Sequence, residues 1–148
     1  MNKNPHAIQP LGVLAPHPRA LWNGNGLQSA IGKIPEDLRE PIADYLENSP
    51  LFLAWMDETS DILGGRFHVL GGSGIYSDGN FYWRGDSADY IRVYGIEIPE
   101  HAIDAMMLHD WKPPKLDARD PRYIEIYTML ESYWDTSEVT TYWSQDEN

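Results

Sequence analysis

The stretch "GIYSDGNFYWRGDSADYIRVYGIEIP", residues 74–99, is the part of the chain that says most about its fold, because it contains a turn, a strand and a helix stop in close succession. Asp78-Gly79 is a favoured pair for the two-residue turn of a β-hairpin, since such turns require positive φ values. The segment "IYSDGNFYW" is therefore predicted to form an antiparallel hairpin.

Helix signals follow the hairpin. Asp86 stands where an N-cap residue is expected, and apolar side chains follow it at helical spacing. Gly95 is placed to end that helix in a left-handed cap. Pro99 suits the start of the next helix, and Asp120-Pro121 the start of a last one. These signals predict three helices after the hairpin.

Two helices and one strand are expected before the hairpin. Residues 35–48, "PEDLREPIADYLEN", carry apolar residues at helical spacing, with Pro41 predicted to kink or divide the helix. Residues 49–65 have Ser49 as an N-cap candidate and Gly64 as a stop, which predicts a second helix. The segment "RFHVL", residues 66–70, is a short strand candidate.

These elements predict an α+β fold: a mainly helical single domain, residues 1–148, with a small antiparallel β-hairpin or sheet. Residues 1–35, rich in Pro, Gly and Asn, are predicted to be an irregular arm that lies on the body. "EVTTYW", residues 138–143, is a candidate final strand. Residues 144–148 are predicted to be a frayed tail.

Charge is the strongest bulk property of the chain. Twenty-three Asp and Glu face eleven Lys and Arg, for a formal net charge of −12. This balance argues against nucleic-acid binding, which needs cations to displace phosphate counterions, and favours encounter with a basic partner. The acids concentrate in residues 36–61 and 123–148. Arg39 is the one Lys or Arg in these two regions.

Several function classes find no support in the sequence. The chain has no cysteine, which excludes disulfides, thiolate metal sites and a cysteine nucleophile. No apolar run approaches the roughly 20 residues of a membrane span, and the first ten residues lack a signal-peptide pattern. We therefore expect a soluble, cytoplasmic protein without membrane association.

No motif for catalysis or for a cofactor is found. Residues 71–74, "GGSG", complete neither a phosphate-binding loop nor a nucleophile elbow. The five histidines lack the spacing of a helical zinc site. We predict no catalytic residue, no cofactor and no metal. One alternative stays open: a small hydrolase in which an Asp or Glu meets His68 or His109 in a deep pocket.

Tyr76, Tyr82 and Trp83 are surplus to a short hairpin if only one of its faces packs on the core, and its second strand carries Tyr82 and Trp83. Exposed rings beside charges are typical anchors of protein interfaces. The competing interpretation is a core that covers both faces of the hairpin. The first interpretation makes these two residues candidates for partner binding.

Residues 77–106, "SDGNFYWRGDSADYIRVYGIEIPEHAIDAM", resemble small bacterial immunity proteins of polymorphic or contact-dependent toxin systems. The shared pattern is an Asp-Gly turn, a Trp-bearing strand, an Asp-capped helix with paired tyrosines and a Pro-started helix. The match covers about a fifth of the chain and carries no catalytic residue. The resemblance implies a fold element more directly than a function.

Together these features predict an immunity or inhibitor protein that binds and blocks a cognate bacterial toxin domain, expected to be a basic nuclease. A non-catalytic structural protein of a mobile element is a further alternative. The toxin's identity and the oligomeric state stay open. The predicted partner-binding residues are acids and aromatic rings of the two acidic regions and the hairpin: Asp44, Glu47, Asp57, Glu58, Asp61, Tyr82, Trp83, Glu131, Tyr133, Trp134 and Asp135.

Overall fold

A computed structural model describes residues 8–15, 24–54, 57–115, 117 and 119–134 of the chain. It has the predicted α+β fold, in which helices surround small sheets. Residues 138–143 and 144–148, the candidate strand and tail, lie outside the described residues. In chain order the elements are β1 (Gln9–Pro10), a 3-10 helix (Gly12–Leu14), α1 (Gly24–Ser29), α2 (Glu36–Asn48), β2 (Leu51–Leu53), β3 (Glu58–Ser60), β4 (His68–Leu70), β5 (Ile75–Ser77), β6 (Phe81–Arg84), α3 (Ser87–Tyr94), α4 (Glu100–Leu108) and α5 (Pro121–Trp134).

The larger sheet has four strands in the order β1-β6-β5-β2. Its centre is the predicted hairpin of β5 and β6, and β2 adds antiparallel to β5. β1 pairs in parallel with β6, with Gln9 opposite Phe81, so this sheet is mixed. A separate two-stranded sheet pairs β3 with β4, which confirms the predicted strand within residues 66–70.

The hairpin turn lies one residue further along than predicted. The Asp78 N–H donates to the Phe81 carbonyl at 3.2 Å, which places Gly79 and Asn80 at the centre of the turn. Gly79 has a φ of 92°, a value that favours glycine. The Asp78 carboxylate accepts hydrogen bonds from the N–H groups of Asn80 and Phe81 at 2.9 and 2.8 Å. Asp78 therefore braces the turn with its side chain instead of occupying the centre.

The helix predicted for residues 49–65 is wrong. Within it the structure has the strands β2 and β3 and a turn at residues 62–64. Ser49, the expected N-cap, instead follows α2, and its hydroxyl donates to the Tyr45 carbonyl at 2.8 Å. The Pro50 carbonyl accepts a hydrogen bond from Ser77 at 3.1 Å, and Leu51 pairs with Tyr76. Pairing with the hairpin edge has overridden the local helix signals.

The N-terminal part is more regular than the predicted arm. It supplies β1, the 3-10 helix and α1, and Leu11, Leu14 and Leu27 are buried in the main core. α2 continues through Pro41 as one helix instead of dividing there. Within the described residues, this part packs against the rest of the chain through those three leucines.

Both faces of β6 are covered by the core, so the rings of Tyr82 and Trp83 are both buried. Trp83 belongs to the main cluster with residues of α2, α3 and α4, whereas Tyr82 belongs to a second cluster with Ile8 and Tyr123. Tyr82 and Trp83 are each 1% exposed. The expectation that these rings form an exposed docking surface is therefore wrong, because α5 and the N-terminal residues cover the face that a lone hairpin would leave open.

The helix boundaries follow the sequence signals closely. Gly95 ends α3 with φ 62° and ψ 45°, and its N–H donates to the Ile91 carbonyl. Pro99 directly precedes α4, and the Asp120 carboxylate caps α5 by accepting the Arg122 N–H at 3.0 Å. α4 ends at Leu108, and Asp110 adopts a left-handed φ of 57° two residues later.

A fully buried ion pair joins β6 to α3. Arg84 and Asp86 are 0% and 1% exposed, and Arg84 donates to both carboxylate oxygens of Asp86, at 3.1 and 2.8 Å. The Thr59 hydroxyl of β3 donates to the same carboxylate at 2.8 Å. Asp86 directly precedes α3 as predicted, but its carboxylate makes no capping bond to the helix. The carboxylate pairs with the buried Arg84 instead.

Removing one charge of this pair should destabilise the fold severely. Asp86→Asn keeps the side-chain shape but leaves the Arg84 guanidinium buried without its counter-charge, so we expect a loss of about 3 kcal/mol in the free energy of unfolding. Urea denaturation measures the difference.

The matched control is Asp89→Asn on the same helix, where the carboxylate is partly exposed and pairs with Arg92 at 3.3 Å. An exposed pair contributes at most about 1 kcal/mol. Equal unfolding free energies for the Asp86 and Asp89 variants would contradict the structural role given to the buried pair.

Candidate functional site

Four carboxylates surround one guanidinium on the outer face of α2 and α3. Arg92 of α3 contacts Glu40 at 2.7 Å, Asp44 at 3.1 Å and Glu47 at 2.6 Å, all three on α2. Asp89, one turn earlier on α3, lies 3.3 Å from the same side chain. We call these five residues the Arg92 cluster.

The geometry of α2 produces this arrangement. Glu40, Asp44 and Glu47 stand at positions i, i+4 and i+7, so they form one stripe along the helix. The opposite side of α2 carries the buried Ile42 and Leu46, which hold the helix against the core. Packing of α3 beside α2 then brings Arg92 onto the acidic stripe.

The cluster keeps an excess of negative charge. Four carboxylates against one guanidinium leave three uncompensated negative charges, and the Glu40, Asp44 and Glu47 side chains are all exposed to solvent. The hydrogen bond that Arg92 donates to Glu47, and then the one it donates to Glu40, raises the pKa of Arg92, so the guanidinium stays protonated. Arg92 therefore holds the carboxylates in place without neutralising them, and they remain available to cations of a partner.

A second surface is a groove of about 630 Å³ between the 3-10 helix, the start of α2 and α4. One wall is the α4 stripe of Glu100, Ile103, Asp104 and Met107, at positions i, i+3, i+4 and i+7. Apolar side chains form the floor and acids stand at the rim. The branched aliphatic and methionine side chains among the lining residues are Val13, Ile34, Leu38, Ile98, Ile103 and Met107.

The predicted acids are only partly brought together. Asp44 and Glu47 meet in the Arg92 cluster, as described above. Asp57 is half-buried and accepts the Ser73 hydroxyl at 2.7 Å, and Glu58 is exposed at the first position of β3. Neither contacts Arg92 in the ion pairs that the structure describes.

Asp61, one of the predicted partner-binding residues, is buried and does not face water. It is 5% exposed, and its carboxylate accepts the N–H groups of Leu63, Gly64 and Arg66 and, at 2.5 Å, the Tyr94 hydroxyl. It organises the turn between β3 and β4 and ties that turn to α3. An aspartate committed to four donors is a structural residue and presents no free oxygen surface to a partner.

The remaining predicted residues lie at the C-terminal end. Glu131, Tyr133 and Trp134 belong to α5, but their side-chain positions are not among those that the structure describes. Asp135 lies outside the described residues.

Sequence reasoning missed Glu40, Asp89 and Arg92. The position of Glu40 was available as a sequence signal, since it continues the i, i+4, i+7 stripe of Asp44 and Glu47. The contact between this stripe and Arg92 depends on how α3 packs beside α2, which local sequence patterns do not predict. The α4 stripe of the groove was likewise visible as a helical repeat, but the opposite wall was not.

The histidine pocket of the alternative hydrolase is not found among the described residues. His68 is exposed on β4, with its Nδ1 2.9 Å from the Ser60 hydroxyl, and His109 is exposed at the end of α4. Neither lines the groove. In the part of the chain that the structure describes, no three His, Asp or Glu side chains gather as metal ligands.

Two further findings bear on the class of protein. None of the described helices combines the length and apolar character that crossing a bilayer requires. Comparison with family models, with curated proteins and with solved structures finds no match to this chain.

The Asp61 turn predicts a pH effect on stability. Burial alone would raise the pKa of Asp61, but the Tyr94 hydroxyl and the three backbone N–H groups outweigh it and lower the pKa below its usual value. Because the folded state then binds the proton less readily than the unfolded state, this stabilisation is present above about pH 4 and is lost as pH falls further.

Asp61→Asn should therefore be less stable than the parent chain at pH 7, and its stability should decline less steeply between about pH 5 and pH 2. Tyr94→Phe should show part of both effects, whereas Tyr127→Phe, which removes an exposed hydroxyl, serves as the control. Chemical denaturation across the pH range measures this. An Asp61→Asn variant with the unchanged acid profile would contradict the assignment.

Proposed function

We propose that this protein is a cytoplasmic inhibitor of the immunity type, which binds a basic toxin domain through the Arg92 cluster and blocks its active site. The observation that carries the proposal is the convergence of four carboxylates on one arginine in an exposed position on α2 and α3. The resemblance of residues 77–106 to immunity proteins supports the same class.

Electrostatics explains why a nuclease domain would be a suitable target. A nuclease holds its substrate phosphates with Lys and Arg side chains, so its active site is basic. The three carboxylates along α2, in a cluster that keeps three uncompensated negative charges, present a line of negative charge that such a site would accept in place of phosphates. The overall charge of −12 adds a long-range attraction that raises the association rate.

Arg92 contributes by fixing the geometry before the partner arrives. Free glutamate side chains lose rotamer freedom when they are bound, and that loss opposes association. Here Glu40 and Glu47 are already held by the guanidinium at 2.7 and 2.6 Å. A partner therefore meets carboxylates that are partly ordered.

Charge reversal in the cluster tests the proposal. The double variant Asp44→Lys/Glu47→Lys should reduce the rate of association with the toxin encoded by the neighbouring gene by about ten- to a hundredfold at low salt. The difference should shrink as salt is raised, because exposed charges are screened. Stopped-flow fluorescence gives the rate, and a nuclease assay gives the loss of inhibition.

A matched control is the double variant Asp117→Lys/Glu125→Lys, which makes the same change in net charge at exposed positions outside the cluster. If both double variants slow association equally, total charge and not the cluster is responsible. Absence of binding between the parent chain and the toxin at micromolar concentration would remove the proposed function altogether.

A further inference from the structure

We propose that the groove beside α4 is a docking site for a basic amphipathic helix of a partner protein. Apolar side chains of that helix would enter the floor, and its Lys or Arg side chains would meet the acids at the rim. This inference goes beyond the proposed function, because it concerns a different surface and holds whether or not the partner is a toxin.

The shape of the groove suits a helix. The α4 wall offers a straight stripe over two turns, from Glu100 to Met107, and the 3-10 helix and the start of α2 stand opposite. Its volume of about 630 Å³ accommodates several side chains in a row along an open channel. A groove of this form receives the i, i+3, i+4 and i+7 residues of an amphipathic helix.

The apolar content is accessible from outside. Met107 is 52% exposed although it lines the groove, and Ile103 is half-buried beside it. A methionine side chain adapts its shape to a partner more readily than a branched residue does. Covering these side chains would remove apolar surface from water, which favours binding by an apolar anchor.

The charge of the rim determines whether a basic or an acidic helix is favoured in the groove. Glu97, Glu100 and Asp104 are exposed at the groove, and Lys33 is the one base among the described residues that line it. Three carboxylates against one ammonium leave an excess of two negative charges, which complements a helix that carries Lys or Arg beside its apolar stripe.

The same charge disfavours two other occupants. A second copy of this chain, with a net charge of −12, would approach the acidic rim against a repulsive field. An acidic peptide would place like charges opposite Glu100 and Asp104. The basic helix is the occupant for which both the apolar floor and the acidic rim are favourable.

The test uses the full chain and a synthetic probe. The probe is a fluorescein-labelled helical peptide with Leu at i, i+3, i+4 and i+7 and Lys at the flanking positions, and fluorescence anisotropy measures its binding. We expect micromolar affinity, a loss of about tenfold for Met107→Ser, and a similar loss for Glu100→Lys/Asp104→Lys, since removing an apolar anchor or a charge contact commonly weakens binding by that amount. Thermal unfolding checks that each variant is folded.

Leu108→Ser is the matched control for Met107→Ser, because Leu108 is the next residue of α4, is 83% exposed and does not line the groove. Its affinity for the probe should equal that of the parent chain. Two altered probes complete the design: Ser in place of Leu should abolish binding, and Glu in place of Lys should also abolish it.

The outcomes separate this inference from the proposed function. Asp44→Lys/Glu47→Lys should leave probe binding within about twofold, since those acids lie outside the groove. Equal binding of the Ser probe would show that total charge alone attracts the peptide, and equal binding to Met107→Ser would show that the groove is not used; either result overturns the inference. Concentration-dependent dimerisation that Met107→Ser abolishes would instead identify a second copy as the occupant, and would also overturn it.

Discussion

The buried pair of Arg84 and Asp86 is the constraint on which the remaining structure depends. A guanidinium at the end of β6 that is shielded from water requires a carboxylate within hydrogen-bonding distance. Asp86, two residues later, supplies it, and the Asp86 N–H bonds to the Gly72 carbonyl at 3.0 Å. The start of α3 is thereby fixed relative to both sheets, because Thr59 of β3 donates to the same carboxylate.

The position of α3 determines the exposed chemistry. With its first turn fixed by Asp86 and its last residue followed by the left-handed Gly95, α3 packs along α2 and directs Arg92 toward the acidic stripe. On its other side, Tyr90 and Tyr94 reach the β3–β4 turn, where Tyr94 donates to Asp61. One helix therefore connects the core pair, the turn and the Arg92 cluster.

Local signals in the sequence were sufficient at three helix boundaries where a single residue decides the backbone. Gly95, Pro99 and Asp120 mark helix boundaries through φ values, a missing N–H and a side-chain acceptor, and all three act as expected. Residues 49–65 could not be predicted in this way, because their strands exist through pairing with β5 and β4. For the same reason, the burial of Tyr82 depends on α5 and residue 8, which lie far from it in the sequence.

The two candidate surfaces were likewise only partly predictable from the sequence. The α2 and α4 stripes are helical repeats and could be read directly from residues 40–47 and 100–107. The counter-charge from Arg92 and the far wall of the groove arise only when distant segments pack together.

Two acidic stripes on different helices, one held by an arginine and one lining an apolar groove, are not equivalent for recognition. The first offers ordered charge, which affects the rate of encounter most. The second combines charge with apolar area that binding would cover, which affects the lifetime of a complex most. A partner that contacted both would be attracted by one surface and retained by the other.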